Sequence, residues 1–106
     1  MQAPTKMEEI MAVAKKAAVK KAVTKILKDR GAYYFTPVTG GFGQSGVPDI
    51  VACFHGRFIG IECKAGKNQP TALQQKNLDD IEKAGGVSVV INENNIDNLV
   101  GILKLI

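Results

Sequence analysis

Neither of the two cysteines in this 106-residue chain sits in a Cys-x-x-Cys pair or at a Cys/His ligand spacing, which excludes a zinc site built on them. Cys53 and Cys63 read instead as small buried hydrophobes of a protein kept in a reducing compartment. Long apolar runs are missing too. No stretch approaches the roughly 20 apolar residues of a membrane span, and the N-terminal segment lacks the continuous apolar run of a secretory signal. A cytosolic, cytoplasmic location is therefore expected. The glycine-rich run Gly40-Gly41-Phe42-Gly43-Gln44-Ser45-Gly46 allows close approach to phosphates, but it lacks the Lys-Ser/Thr of a nucleotide-hydrolysing loop. NTP hydrolysis is not indicated. No internal repeat appears. What is present is 45% hydrophobic content, enough for one compact domain over residues 1–106 with a single core. The formal charge of +4 favours polyanionic partners only mildly, because such an excess also serves solubility.

The most informative stretch runs from Gly46 to Lys64. Two apolar, β-branched and aromatic runs within Gly46 to Phe54 and Arg57 to Lys64 flank His55-Gly56 and read as a hairpin. Alternation along the second strand puts Phe58, Gly60, Glu62 and Lys64 on one face and Ile59, Ile61 and Cys63 on the other. With a two-residue turn, Phe54 faces Arg57, Ala52 faces Ile59, and Asp49 falls opposite Glu62. A three-residue turn would put Asp49 opposite Cys63 instead. Two carboxylates facing each other on otherwise apolar strands repel, so a cation between them is expected. Oxygen ligands of this kind, with most of the coordination shell left to water and phosphate, suit Mg²⁺ or Mn²⁺. Lys64 would then lie beside the ion, able to orient water and to neutralise charge developing on a transition state. The bland alternative makes Glu62 and Lys64 a solvated surface ion pair of little consequence.

Pro48-Asp49 followed by Glu62-Cys63-Lys64 matches the PD-(D/E)XK motif of restriction-endonuclease-like nucleases. Gly46-Val47-Pro48-Asp49, the Ile61-Glu62-Cys63-Lys64 strand, Thr71 to Gln74 opening a helix, and Gly85-Gly86 before a strand together resemble the virus-type replication–repair nuclease (VRR-NUC) family, whose small stand-alone versions occur in bacteriophages. The similarity covers roughly Gly31 to Ile91. It implies a restriction-endonuclease-like α/β fold of αβββαβ order, with a mixed central sheet flanked by helices. It also implies a metal-dependent DNA endonuclease in which Asp49, Glu62 and the Cys63 backbone carbonyl hold Mg²⁺ or Mn²⁺. Lys64 would activate water, and Gln74 would reach the attacking water or the scissile phosphate. A Holliday-junction-resolvase-like homodimer acting on branched DNA, in DNA repair or phage replication within the host cytoplasm, is the biology the resemblance implies. Rival readings are a nucleic-acid-binding module without activity and a nuclease subunit of a larger assembly.

The remaining chain reads in order. Thr5 to Arg30 is expected to form one amphipathic helix, opened by Thr5-x-x-Glu8 and closed by Gly31, with Ile10, Val13, Ala17, Val19, Val23, Ile26 and Leu27 on its apolar side. Lys15, Lys16, Lys20, Lys21, Lys25 and Lys28 crowd the rest, either facing nucleic-acid phosphates or simply solvated. Lys16 and Lys20, with Gly43, Gln44 and Ser45 of the glycine-rich run, are the candidate DNA contacts. The resembled family places a further acidic residue on this helix, at a position that falls near Lys16; either Glu9 serves through a shifted helix or the third carboxylate is missing. Ala32 to Val38 reads as a strand whose aromatics Tyr33, Tyr34 and Phe35 are expected in the core. Thr71 to Ala84 reads as a second helix, where Gln74 closes a capping box as well as matching the family's glutamine. Val87 to Ile91 reads as a strand buried on both faces, and Ile96, Leu99, Val100 and Leu103 suggest a last helix.

Overall fold

The computed structural model describes residues 3–38 and 43–106, so Gly40, Gly41 and Phe42 of the glycine-rich run lie outside the described residues. The elements are α1 (Lys6–Asp29), β1 (Tyr33–Phe35), β2 (Ile50–Phe54), β3 (Arg57–Cys63), α2 (Ala72–Lys83), β4 (Val87–Ile91) and α3 (Ile96–Leu105). They build a mixed sheet ordered β1-β2-β3-β4, antiparallel from β1 to β3 and parallel between β3 and β4. A parallel neighbour needs a crossover, and α2 supplies it.

Local chemistry sets most of the boundaries. The Thr5 hydroxyl accepts the Glu8 amide at 3.1 Å and starts α1. At its other end Gly31, with φ +77°, lets its own amide and that of Ala32 return to the carbonyls of Lys28 and Leu27, the paired bonds of a Schellman motif. α2 opens on a complete capping box between Thr71 and Gln74, and closes on Gly85 and Gly86 in the same way as α1. In the hairpin turn both His55 (φ 50°) and Gly56 (φ 79°) adopt left-handed backbone, the requirement of a two-residue type I′ connection. The ladder Phe54↔Arg57, Ala52↔Ile59, Ile50↔Ile61 follows, and its next step sets Asp49 opposite Glu62. The three-residue alternative is thereby excluded.

One face of the sheet carries the core. Ile50, Ala52, Ile59, Ile61, Cys63 and Ile91 pack there against Val19, Val23 and Leu27 of α1 and Leu99 and Leu103 of α3. On the other face α2 lies over β3 and β4, close enough that a Cβ added to Gly60 would collide with Ile81 and Pro48.

Four expectations are corrected. β1 spans only Tyr33–Phe35, and Tyr33 and Phe35 are exposed while Tyr34 alone packs on the core, because β1 is an edge strand that α2 does not reach. Cys53 is exposed, on the same uncovered side of β2; only Cys63 is buried. β4 is the opposite edge, so Val87 to Val90 are half-buried and Ile91 alone is fully enclosed. Ile10 and Val13 are exposed with Met7 and Met11, and Ala17 is exposed too. A helix of 24 residues is about 36 Å long, against about 23 Å for the seven residues of β3, so the first turns of α1 overrun the sheet.

Candidate active site

The site forms where the ends of β2 and β3 meet α1 and α2. Gly46 comes first. Its φ of +76° suits glycine, and a Cβ there would lie 2.7 Å from Cγ of Leu73, so only glycine lets the segment ahead of Asp49 lie against α2. The buried Asn77 side chain holds the same segment: its amide donates to the carbonyls of Ser45 (3.2 Å) and Leu73 (2.9 Å) and its oxygen accepts from Gln44 Nε2 at 2.8 Å. Pro48 is buried and directs Asp49 towards β3, where its Oδ2 accepts the Cys63 amide at 2.9 Å.

Glu62 is the anomaly of this fold. It is fully buried, and as a carboxylate it meets no hydrogen-bond donor at either oxygen among the described residues. A buried polar group without partners is costly, and a buried charge more so. Burial, the largest effect, and then the neighbouring Asp49, as acceptor and as like charge, push its pKa up to about 8; Lys64 and Lys16 pull the other way. Asp49 behaves oppositely. Burial works against its ionisation, but the proton retained by Glu62, the Cys63 amide and the Lys16 ammonium outweigh burial and hold its pKa below the ordinary carboxylate value. Cys63 supplies no nucleophile, since burial and the two carboxylates raise its thiol to about 12.

Two lysines complete the arrangement. Lys64 continues β3: its amide donates to the Ile91 carbonyl at 2.9 Å, and its ammonium donates to Gln74 Oε1 at 2.8 Å. That oxygen also accepts the Thr71 amide at 2.9 Å, so Gln74 is a capping residue and a Lys64 partner at once. Lys16 reaches in from α1, with Nζ 3.4 Å from Asp49 Oδ2. Lys16 and Lys64 line a cavity of about 400 Å³ with Ala12, Asn68 and Gln69. The loop behind it is tied down by Asn92, whose amide donates to the Gly66 carbonyl at 3.2 Å, and by Glu93, which accepts the Gly66 amide.

The donor set fits a divalent cation. Two carboxylates on adjacent strands, one of them buried with both oxygens unpartnered, are hard oxygen ligands of the kind Mg²⁺ or Mn²⁺ takes. No group of three or more His, Cys, Asp or Glu side chains gathers anywhere among the described residues.

The model of the archaeal Holliday junction resolvase family matches residues 11–85 of this chain, which takes in most of α1, the hairpin, α2, and Lys16, Asp49, Glu62, Lys64 and Gln74. The chain belongs to that family. The family is one of PD-(D/E)XK-type nucleases, which makes the chain a nuclease by descent, and nucleases of this type generally use divalent metals. The fold agrees: a solved structure described as a VRR_NUC domain protein superposes with a TM-score of 0.63 at 20% identity, covering 86% of each chain. The expected restriction-endonuclease-like α/β architecture, VRR-NUC in type, is therefore what this resolvase-family chain adopts. No curated protein matches it.

Within this resolvase-family fold, Asp49, Glu62, Lys64 and Gln74 come together at one end of the sheet. Glu9 does not. It is exposed and lines a shallow surface with Lys6, Ile10 and Val13, roughly 10 Å along the helix axis from Lys16 at 1.5 Å per residue. Lys16, read from the sequence as a candidate phosphate contact, pairs with Asp49, and Lys20 is near enough for its charge to act on Cys63. Gly43, Gln44 and Ser45 are exposed, and Gln44 and the Ser45 carbonyl are held by Asn77 of α2. Asn77, Asn92 and Glu93 went unnoticed in the sequence. An asparagine amid the polar residues of a helix gives no local sign that it will be buried.

No helix among the described residues is long and apolar enough to cross a membrane.

Proposed function

We propose that this chain is a divalent-metal-dependent endonuclease that cuts branched DNA, four-way junctions above all, as a homodimer. The observation that carries it is the buried, unpartnered Glu62 facing Asp49 with Lys64 at its side. Asp49 and Glu62, jointly with the Cys63 backbone carbonyl, would hold Mg²⁺ or Mn²⁺. When bound, the ion supplies Lewis-acid charge that favours attack on a phosphodiester.

The chain's own groups do the rest. Lys64, aimed by Gln74, offers N–H donors to the attacking water and positive charge where negative charge develops on the phosphate oxygens. The Gln74 oxygen is occupied by Lys64 and the Thr71 amide, so its amide nitrogen is the part available to a phosphate oxygen. Lys20, Gly43, Gln44 and Ser45 would contact the backbone of the strand to be cut, with Lys16 joining them. The match to a Holliday junction resolvase family supports a four-way substrate, whose two-fold geometry asks for two copies of one active site.

The second copy would cover the open sheet face. There an apolar groove of about 590 Å³ runs past Phe35, Pro37, Val51, Phe58 and Ile81. Exposed patches of that kind mark association surfaces.

The ion pair between Lys16 and Asp49 favours one rival, a DNA-binding module that turns nothing over, because a lysine neutralises the carboxylate a metal needs. A single experiment separates them: the purified protein incubated with linear, nicked, flap and four-way DNA in EDTA, Mg²⁺ and Mn²⁺. Metal-dependent incision with preference for the four-way substrate is expected. Binding without incision in both metals would establish the rival.

A further inference from the structure

Lys16 is unlike the other lysines of α1. Lys25 pairs with Asp29 on the helix surface, whereas the Lys16 side chain, 38% exposed, turns inwards to an Asp49 carboxylate that is 20% exposed and already committed to the Cys63 amide. It also forms one wall of the cavity that Lys64, Asn68 and Gln69 line. Its ammonium thus has two places within reach of its flexible stem: the carboxylate, and a cavity whose other polar lining side chains, Lys64, Asn68 and Gln69, carry N–H groups suited to a phosphate among the apolar Ala12, Val13 and Ala65. A dication placed between Asp49 and Glu62 would repel an ammonium 3.4 Å from Asp49. A phosphate in the cavity would attract it.

We propose that Lys16 is a tethered counter-cation that couples metal binding to DNA binding: it neutralises Asp49 while the DNA site is empty, and swings to a backbone phosphate when DNA arrives, releasing Asp49 to the metal. This rests on the metal-site reading above and adds to it. Lys16 is a positioning residue acting through Asp49. Coupling of this sort is reciprocal, so metal must strengthen DNA binding by the same factor that DNA strengthens metal binding. An enzyme so built holds metal weakly until a substrate is present.

The test measures Mn²⁺ affinity by electron paramagnetic resonance and by calorimetry, without DNA, for wild type, Lys16→Met, Lys16→Arg and Asp49→Asn. DNA affinity is then measured for the same proteins in EDTA and in Ca²⁺. Removing the tethered charge should tighten Mn²⁺ binding roughly tenfold, within the ordinary range of coupling between sites, and Lys16→Arg should restore the wild-type value. The gain in DNA affinity on adding Ca²⁺ should shrink in Lys16→Met by a similar factor. Lys16→Glu, which replaces the competing charge with a carboxylate on a stem one bond shorter, should tighten Mn²⁺ binding at least as much as Lys16→Met. Mn²⁺ affinity in Lys16→Met equal to or weaker than wild type, with Asp49→Asn still abolishing it, overturns the role of Lys16 and leaves the metal site standing. Mn²⁺ binding unaffected by Asp49→Asn overturns the metal-site reading and this inference with it.

Discussion

The oxygen of Gln74 that accepts the Lys64 ammonium at 2.8 Å is the one that accepts the Thr71 amide at 2.9 Å. A helix cap and the lysine proposed to act in catalysis therefore share one acceptor, and the cap is what fixes that acceptor in space. The capping box is complete, since the Thr71 hydroxyl also accepts the Gln74 amide at 3.2 Å. Placing a functional group on a structural device of this kind holds it without a loop's freedom.

The two roles can be separated by substitution. Thr71→Ala removes the hydroxyl acceptor and should lower stability by about 1 kcal/mol while leaving Lys64 its partner. Gln74→Ala should cost a similar amount and also slow cleavage about tenfold or more, because Lys64 loses its aim. Chemical denaturation with cleavage assays well below the melting temperature checks both. Equal cleavage by the two variants would reduce Gln74 to a cap.

Lys64→Met should slow cleavage of a four-way junction by about a hundredfold or more, with Mn²⁺ affinity close to wild type, because Lys64 is assigned to water and developing charge rather than to coordination. Single-turnover cleavage and Mn²⁺ titration are the measurements. Loss of metal affinity as complete as in Asp49→Asn would reassign Lys64.

Glu62 makes the metal-free protein sensitive to pH. Its pKa is about 8 in the folded chain, against an ordinary value of 4.5. Between those values the folded state holds a proton the unfolded state has released, so stability falls as pH rises through that window and levels off above it. The slope is at most about 1.4 kcal/mol per pH unit for one proton. The depressed pKa of Asp49 acts in the opposite sense, but only below its ordinary value of 3.8 and so outside this window. Melts in chelator between pH 5 and pH 8 should show a declining midpoint, and Glu62→Gln should flatten the decline. A midpoint that rises with pH in the wild type contradicts the assignment.

If a second copy covers the open sheet face, a charge in the apolar groove should prevent it. Phe58, 48% exposed on β3, is the position to use, since its side chain faces the groove and not the core. Phe58→Lys should sediment as a monomer where the wild type is a dimer, retain its circular dichroism, and nick four-way junctions without making the paired incisions that resolve them. A wild type that is already monomeric, or a variant that still dimerises, would place the partner elsewhere.

The sequence by itself determined everything that depends on neighbours along the chain. Thr5, Gly31, Thr71 and Gly85 mark helix ends because capping bonds close within a few residues, and His55-Gly56 marks the hairpin turn between two apolar runs. The sequence left Asp49 opposite either Glu62 or Cys63, and the left-handed backbone of both His55 and Gly56 decided for the two-residue turn whose register leads to Glu62. Alternation likewise told which side chains share a face of β3. It could not tell which faces would be covered: Tyr33, Phe35 and Cys53 look like core residues by type, yet α2 lies over β3 and β4 and leaves them bare. Nor could periodicity bring Lys16 to Asp49 or Asn77 to Gln44, contacts between residues about thirty positions apart on different elements. Those depend on the height at which α1 and α2 cross the sheet, which is set by how Val19, Val23 and Leu27 pack on one side and Ile81 over Gly60 on the other. The tertiary structure alone decided that the carboxylate pair would meet a lysine from the first helix.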